Sequence, residues 1–255
     1  MVWLRIGSTR REVRAIVFDK DGTLVRAESF WQYLAAARGE GVSALAGDRV
    51  RREWDAIMCV TDGNVDPQGL LAVGTPVEEE AVTAAVLAWR LGWPFAKARQ
   101  EAARIIARAD AGWDPAQSEP VPGFPGVMQR LAQRGLPLAV ATSDGRERTH
   151  ATLEAFGVAA LVQAVVTAED VARTKPAPDM LLKVAEAIGV EPVYLVMVGD
   201  SPVDMAMARA VGAIAVGVAS DPGTAQRLRE EGALAVIADL TEIICDRNGI
   251  TIHPL

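Results

Sequence analysis

Short, almost unbroken apolar runs recur along this sequence: Arg14–Phe18 (RAIVF), Leu136–Ala141 (LPLAVA), Leu161–Val166 (LVQAVV), Tyr194–Val198 (YLVMV) and Ala213–Val218 (AIAVGV), with Leu234–Ile237 (LAVI) as a further candidate. A strand with one wet face alternates apolar and polar residues. A run without alternation is a strand covered on both faces, the environment of a parallel sheet packed between helices. Helix-periodic stretches lie between the runs, at Gly126–Arg134, Arg146–Phe156, Asp179–Ile188, Val203–Val211 and Ala225–Glu230. Gly135, Gly157, Gly189 and Gly212 follow four of them, where a helix C-terminus favours left-handed backbone. Such strand–helix alternation builds an α/β fold, a doubly wound parallel sheet joined by right-handed crossovers.

Residues 27–117 interrupt the alternation. Their spacing is helical instead: Phe30 with Leu34, Val82 with Val86 and Trp89, and Phe95 with Ala102, Ile105 and Ile106. No strand is expected there. Trp31, Trp54, Trp89, Trp93 and Trp113 concentrate in this segment and read as its own small core. The Pro/Gly-rich stretch Glu119–Gly126 (EPVPGFPG) is the return linker. The expected organisation is a Rossmann-like core from residues 1–26 and 118–255, carrying an inserted all-helical domain at 27–117.

Composition removes several function classes. The 26 basic and 33 acidic residues leave a net charge of −7, with no cationic block longer than pairs such as Arg51-Arg52, so nucleic acid is not an expected partner. No apolar run is long enough to span a membrane, at the ~18 residues that a helix requires. The N-terminal MVWLRIGSTRREV is interrupted by Arg5, Arg10 and Arg11 and does not read as a secretion signal. Cys59 and Cys245 stand far apart, as reduced thiols of a cytoplasmic protein do. With only His150 and His253, a multi-histidine metal cage is excluded.

The residues that carry chemistry fall where a parallel sheet places its ligands, at the C-terminal ends of strands. Asp19 and Asp21, in Val17-Phe18-Asp19-Lys20-Asp21-Gly22-Thr23, follow the first run and face one way in extended backbone. Neighbouring carboxylates repel unless they share a cation, and Mg²⁺ is a hard ion that takes carboxylate and phosphate oxygens. Val198-Gly199-Asp200-Ser201-Pro202-Val203-Asp204 follows another run, with Asp200 at the strand end and Asp204 about one turn into the next helix. Asp200 or Ser201 also suits the N-cap of that helix. Lys175 precedes two prolines, Pro176 and Pro178, in a stiff turn ahead of a helix, and Thr142-Ser143-Asp144 offers hydroxyls and backbone N–H groups after a third run.

Taken together, these segments resemble the haloacid dehalogenase superfamily, and within it phosphatases similar to phosphoglycolate phosphatase. The matching motifs are DKDGT at Asp19–Thr23, Thr142, Lys175 in its KPxPD context, and GDSxxD at Gly199–Asp204. The resemblance implies that 27–117 is a helical cap and that the reaction is Mg²⁺-dependent hydrolysis of a small phosphorylated metabolite. It implies Asp19 as nucleophile, and Asp21 as the acid that protonates the leaving group and then the base that activates water. Thr142, Ser143 and Lys175 would bind the phosphoryl group. Asp19, Asp200 and the backbone carbonyl of Asp21 would hold the metal, with Asp204 orienting them.

The residue between the aspartates is usually apolar in these phosphatases, and here it is Lys20. DKDGT therefore also resembles the DKTGT of P-type ion pumps, which carry Thr where Asp21 stands and need membrane helices. A cation at that place is expected to recruit a second anionic group of the substrate. Two other readings stay open: a sugar-phosphate mutase with the same cap, and a catalytically silent binding module. Net phosphate release against isomer formation separates the first, and a phosphatase assay decides the second.

Overall fold

The structure, a computed structural model, describes residues 2–246 and 249–255. The chain divides into two compact units, Met1–Arg26 with Glu119–Leu255, and Ala27–Ser118. In chain order the first unit begins with β1 (Val2–Ile6), β2 (Thr9–Val13) and β3 (Ala15–Phe18). The second unit contains α1 (Glu28–Ala46), α2 (Asp48–Ile57), β4 (Val60–Thr61), β5 (Asn64–Val65), α3 (Leu70–Val73), α4 (Pro76–Leu91) and α5 (Phe95–Ala111). The first unit then resumes with α6 (Gly126–Gln133), β6 (Leu138–Ala141), α7 (Arg146–Ala155), β7 (Val162–Val166), α8 (Asp179–Ile188) and β8 (Leu195–Gly199). It ends with α9 (Pro202–Ala210), β9 (Ile214–Val218), α10 (Pro222–Glu230), β10 (Ala235–Ile237), β11 (Ile243–Asp246) and β12 (Gly249–Ile252). No helix among the described residues is long and apolar enough to cross a membrane.

The apolar runs form one parallel sheet in the order β10-β9-β8-β3-β6-β7. Although the runs do not alternate in polarity, their side chains alternate in face. Ile16, Phe18, Leu138, Val140, Val196 and Val198 enter one core cluster, while Ala15, Val17, Ala139, Ala141, Leu195 and Met197 enter the other. The second face is rich in alanine, and Met180, Met205 and Met207 from α8 and α9 fill the space left by those short side chains. Gly135, Gly157, Gly189 and Gly212 all adopt positive φ after their helices, as anticipated. Register then decides where the site forms: Phe18 pairs with Val140 on one side and Val198 on the other. The residues that follow these strands emerge at one edge.

A second sheet, in the order β11-β12-β1-β2, was not anticipated. Its local signal is the alternation of Val2, Leu4 and Ile6 ahead of the Gly7-Ser8 turn. Leu4, Ile6, Val13, Ile243, Ile250 and Ile252 bury themselves in the same cluster as one face of the parallel sheet. Where the chain leaves and re-enters this unit, Arg26 N–H donates to the Glu119 carbonyl at 2.8 Å and Val121 N–H to the Leu24 carbonyl at 2.9 Å.

The second unit is mainly helical, but β4 and β5 form a short antiparallel hairpin across Asp62-Gly63, where no strand was expected. Trp54 is fully buried and donates from Nε1 to Thr83 Oγ1 at 2.9 Å. Trp113 packs against Phe30 and Tyr33. Trp89 and Phe95 depart from the expected core, being 68% and 51% exposed. Trp89 instead lies under the guanidinium of its neighbour Arg90, so a helical period placed it one face away from the core that forms.

Candidate active site

Asp19 leaves the end of β3 with its N–H donating to the Val198 carbonyl at 2.9 Å, which ties it to the adjacent β8. The chain then folds back: Gly22 N–H reaches the Val25 carbonyl and Leu24 N–H the Lys20 carbonyl, both at 2.8 Å. Gly22 carries φ of +78°, and a Cβ there would lie 2.0 Å from Asp200 Oδ2. Only glycine lets the Asp19–Thr23 turn come so close to the Asp200 carboxylate. Asp204 sits in the first turn of α9, where it completes a capping box. Its Oδ2 accepts from the Ser201 hydroxyl at 2.6 Å and the Ser201 N–H at 3.2 Å.

Lys175 connects these elements. Its Nζ donates to Asp19 Oδ1 at 2.6 Å and lies 2.6 Å from Asp204 Oδ1, with its side chain almost wholly buried. Carboxylate oxygens of Asp19, Asp200 and Asp204 come within 4.8 Å of one another. The carboxylate of Asp21 is not in that group; it turns to Lys20, whose Nζ donates to Asp21 Oδ1 at 2.5 Å. Thr142 directly follows β6, buried, with its N–H on the Val166 carbonyl and its Oγ1 accepting from Asp144 N–H at 3.1 Å. Ser143 is half-buried in the same turn. Both histidines are exposed.

Electrostatically the carboxylates of Asp19 and Asp200 are under-compensated. Burial, opposed by Lys175 and reinforced by Asp204 and Asp21, pushes the Asp19 carboxyl up to about 7. Burial and the charges of Asp19 and Asp204 hold Asp200 well above the ordinary carboxylate range. Lys175, though buried, stays above its usual value because Asp19 and Asp204 flank it. Among the described residues Asp200 has no ion-pair partner within 4 Å. Two buried acids that share one lysine, beside a partly buried third without a cationic partner, fit a divalent cation, which is stabilised by oxygen donors and favours the ionised carboxylates.

Lys20 corrects the expectation that it would reach a second anionic group of the substrate. Its ammonium is buried against Asp21 and lies 3.0 Å from Asp144 Oδ2. A charge enclosed by two carboxylates is already neutralised. Asp144 and Arg148 are functional candidates that the sequence reading left unassigned. Despite burial, Lys20 and Arg148 hold the Asp144 carboxyl below the carboxylate range. The signal was the i, i+4 spacing of Asp144 and Arg148 beside the Thr142 turn.

Fold and site define an α/β protein whose strand ends gather acidic residues and a lysine, a setting for a cation and an anionic substrate. A family model described as haloacid dehalogenase-like hydrolase matches residues 13–212. The chain belongs to the haloacid dehalogenase-like hydrolase family. The phosphoglycolate phosphatase of Escherichia coli O157:H7 is 30% identical to it over 223 residues, covering 81% of each chain. "Probable phosphatase IndB" of Dickeya dadantii is 28% identical over 244 residues, covering 90% of this chain and 91% of its own. The solved beta-phosphoglucomutase of Clostridium difficile shares the fold, with a TM-score of 0.61 at 12% identity over 91% of this chain and 93% of its own.

Proposed function

We propose that this hydrolase is a Mg²⁺-dependent phosphoric monoester hydrolase, acting on a small phosphoglycolate-like phosphomonoester through an aspartyl-phosphate on Asp19. The observation that carries the reading is the placement of Lys175 Nζ at 2.6 Å from both Asp19 and Asp204, beside the Asp200 carboxylate. Asp19, Asp200 and the Asp21 carbonyl would hold the metal, with Asp204 orienting Lys175. When bound, the cation supplies positive charge that ionises the carboxylates and offsets the phosphoryl oxygens.

In the first displacement a carboxylate oxygen of Asp19 attacks phosphorus, and the bond from phosphorus to the leaving oxygen breaks. Asp21, protonated in this step, gives its proton to that oxygen. Burial raises the Asp21 carboxyl against the opposing charge of Lys20, which favours its holding a proton. In the second displacement Asp21 takes a proton from water and the water oxygen attacks phosphorus. The bond to Asp19 breaks, and inorganic phosphate leaves. Lys175, Thr142 and Ser143 neutralise and orient the phosphoryl oxygens, since phosphoryl transfer depends chiefly on positioning and charge. The helical segment 27–117 is proposed as the cap that selects among substrates, and the free thiols of Cys59 and Cys245 suit a cytoplasmic setting.

The two aspartates are separable. Asp21→Asn keeps the nucleophile but loses the base, so mixing it with p-nitrophenyl phosphate, whose leaving group needs little protonation, accumulates phospho-enzyme. Intact-mass spectrometry then shows one added phosphoryl group on Asp21→Asn and none on Asp19→Asn. Labelling of Asp19→Asn, or of neither protein, overturns Asp19 as nucleophile. A phosphate-release screen over phosphoglycolate, sugar phosphates, nucleotides and acyl phosphates, scored also for isomer formation, identifies the substrate.

A further inference from the structure

A line of alternating charge runs from Asp21 to the turn that carries Thr142. Lys20 Nζ donates to Asp21 Oδ1 at 2.5 Å and lies 3.0 Å from Asp144 Oδ2. Asp144 Oδ1 in turn accepts from Arg148 Nε at 2.8 Å, from Arg148 Nη2, and from Gly145 N–H at 2.7 Å. Asp144 N–H closes onto Thr142 Oγ1 at 3.1 Å. The side chains of Lys20 and Asp144 are each 4% exposed, whereas Asp21 is 22% exposed. Lys20 and Asp144 are enclosed, and of the two ends of the line Asp21 is the more open, against 15% exposure for Arg148.

A lysine on the surface samples many rotamers; this one is pinned between carboxylates that belong to two different strand-end turns. Charges held out of water keep their geometry, because breaking one contact strands its partner. We propose that Lys20 is a positioning residue for Asp21. It holds the carboxylate through Oδ1 and so presents Oδ2 for proton exchange with the leaving oxygen and then with water. Asp144, braced by Arg148, is the strut that holds Lys20 in place. The same strut links the Asp21 carboxylate to the Thr142 turn, so the proton donor and the proposed phosphoryl-binding hydroxyl are fixed with respect to each other. This rests on the reading of Asp21 as acid and base.

The size of the effect follows from what is lost. Without the ammonium, the Asp21 carboxylate regains side-chain rotation, and a misplacement near 1 Å costs up to ~10²-fold in rate. The loss cannot exceed the contribution of the acid–base group itself, ~10²–10⁴-fold. Lys20→Met keeps an unbranched apolar stem and removes the ammonium. It is expected to lower kcat by about 10- to 100-fold with p-nitrophenyl phosphate, with KM changed by less than about threefold. Phospho-enzyme should build up during turnover, because the second displacement needs the positioned base. In an Asp21→Asn background the same change should cost less than about twofold, since no carboxylate remains to be positioned.

Each other result overturns the proposal. A kcat within twofold of wild type means that Asp21 needs no such support. A large rise in KM at constant kcat means that Lys20 binds substrate. An equal loss in the Asp21→Asn background means that Lys20 acts elsewhere. Arg148→Met, at the outer end of the line, is held to the same criteria and replaces Lys20→Met where circular dichroism shows that variant unfolded. Asp21→Asn alone, assayed in parallel, tests the underlying reading separately. If it turns over like wild type, the acid–base assignment falls first.

Discussion

Replacing the proposed nucleophile should stabilise the metal-free protein. Asp19 is 7% exposed, and its carboxyl lies at about 7 against an ordinary 3.8. Between those values the folded chain holds a proton that the unfolded chain releases. Stability therefore falls as pH rises from about 4 to about 7, and levels off above that. Three units at ~1.4 kcal/mol each give a loss of roughly 4 kcal/mol. Asp19→Asn keeps the size of the side chain and removes that titration. It does not strand Lys175, which retains Asp204 at 2.6 Å. Urea unfolding in excess EDTA, from pH 4.5 to 8.5, should show the variant pulling ahead of wild type by up to about 4 kcal/mol at the alkaline end. Adding Mg²⁺ should narrow or reverse the difference, because the cation binds the ionised carboxylates of the wild type. Parallel pH profiles for the two proteins in EDTA, or a wild type more stable than the variant at pH 8, would refute the reasoning.

Two further outcomes test the cation assignment. Phosphate release should vanish in excess EDTA and return with Mg²⁺, and full activity in chelator would remove the metal from the mechanism. Gly22→Ala should weaken Mg²⁺ binding by more than about tenfold in calorimetric titration, because its Cβ would lie 2.0 Å from Asp200 Oδ2. Gly63→Ala shares the φ of +78° but meets nothing within 4 Å, so it should cost about 1–2 kcal/mol of backbone strain and leave Mg²⁺ binding intact.

Two-sided burial and local turn chemistry were written in the order of residues. The unbroken apolar runs marked the strands of the parallel sheet, and the glycines after four helices marked where those helices stop. Because such a sheet offers its strand ends to ligands, Asp19, Thr142 and Asp200 are legible as candidates in the sequence alone. Pairings between distant segments were not legible. β1 lies beside β12, with Leu4 opposite Ile250, and a short alternating segment carries no mark of a partner so far along the chain. Trp89 had a helical period, but which face of that helix meets a core is decided by what packs against it. Lys175 meets Asp19 across 156 positions, and Lys20 meets Asp144 across two turns. Charge pairing depends on separation in space and on exclusion of water, and neither is a property of the chain taken in order. Periodicity reports the backbone and its burial; only the folded chain decides which buried charges are neighbours.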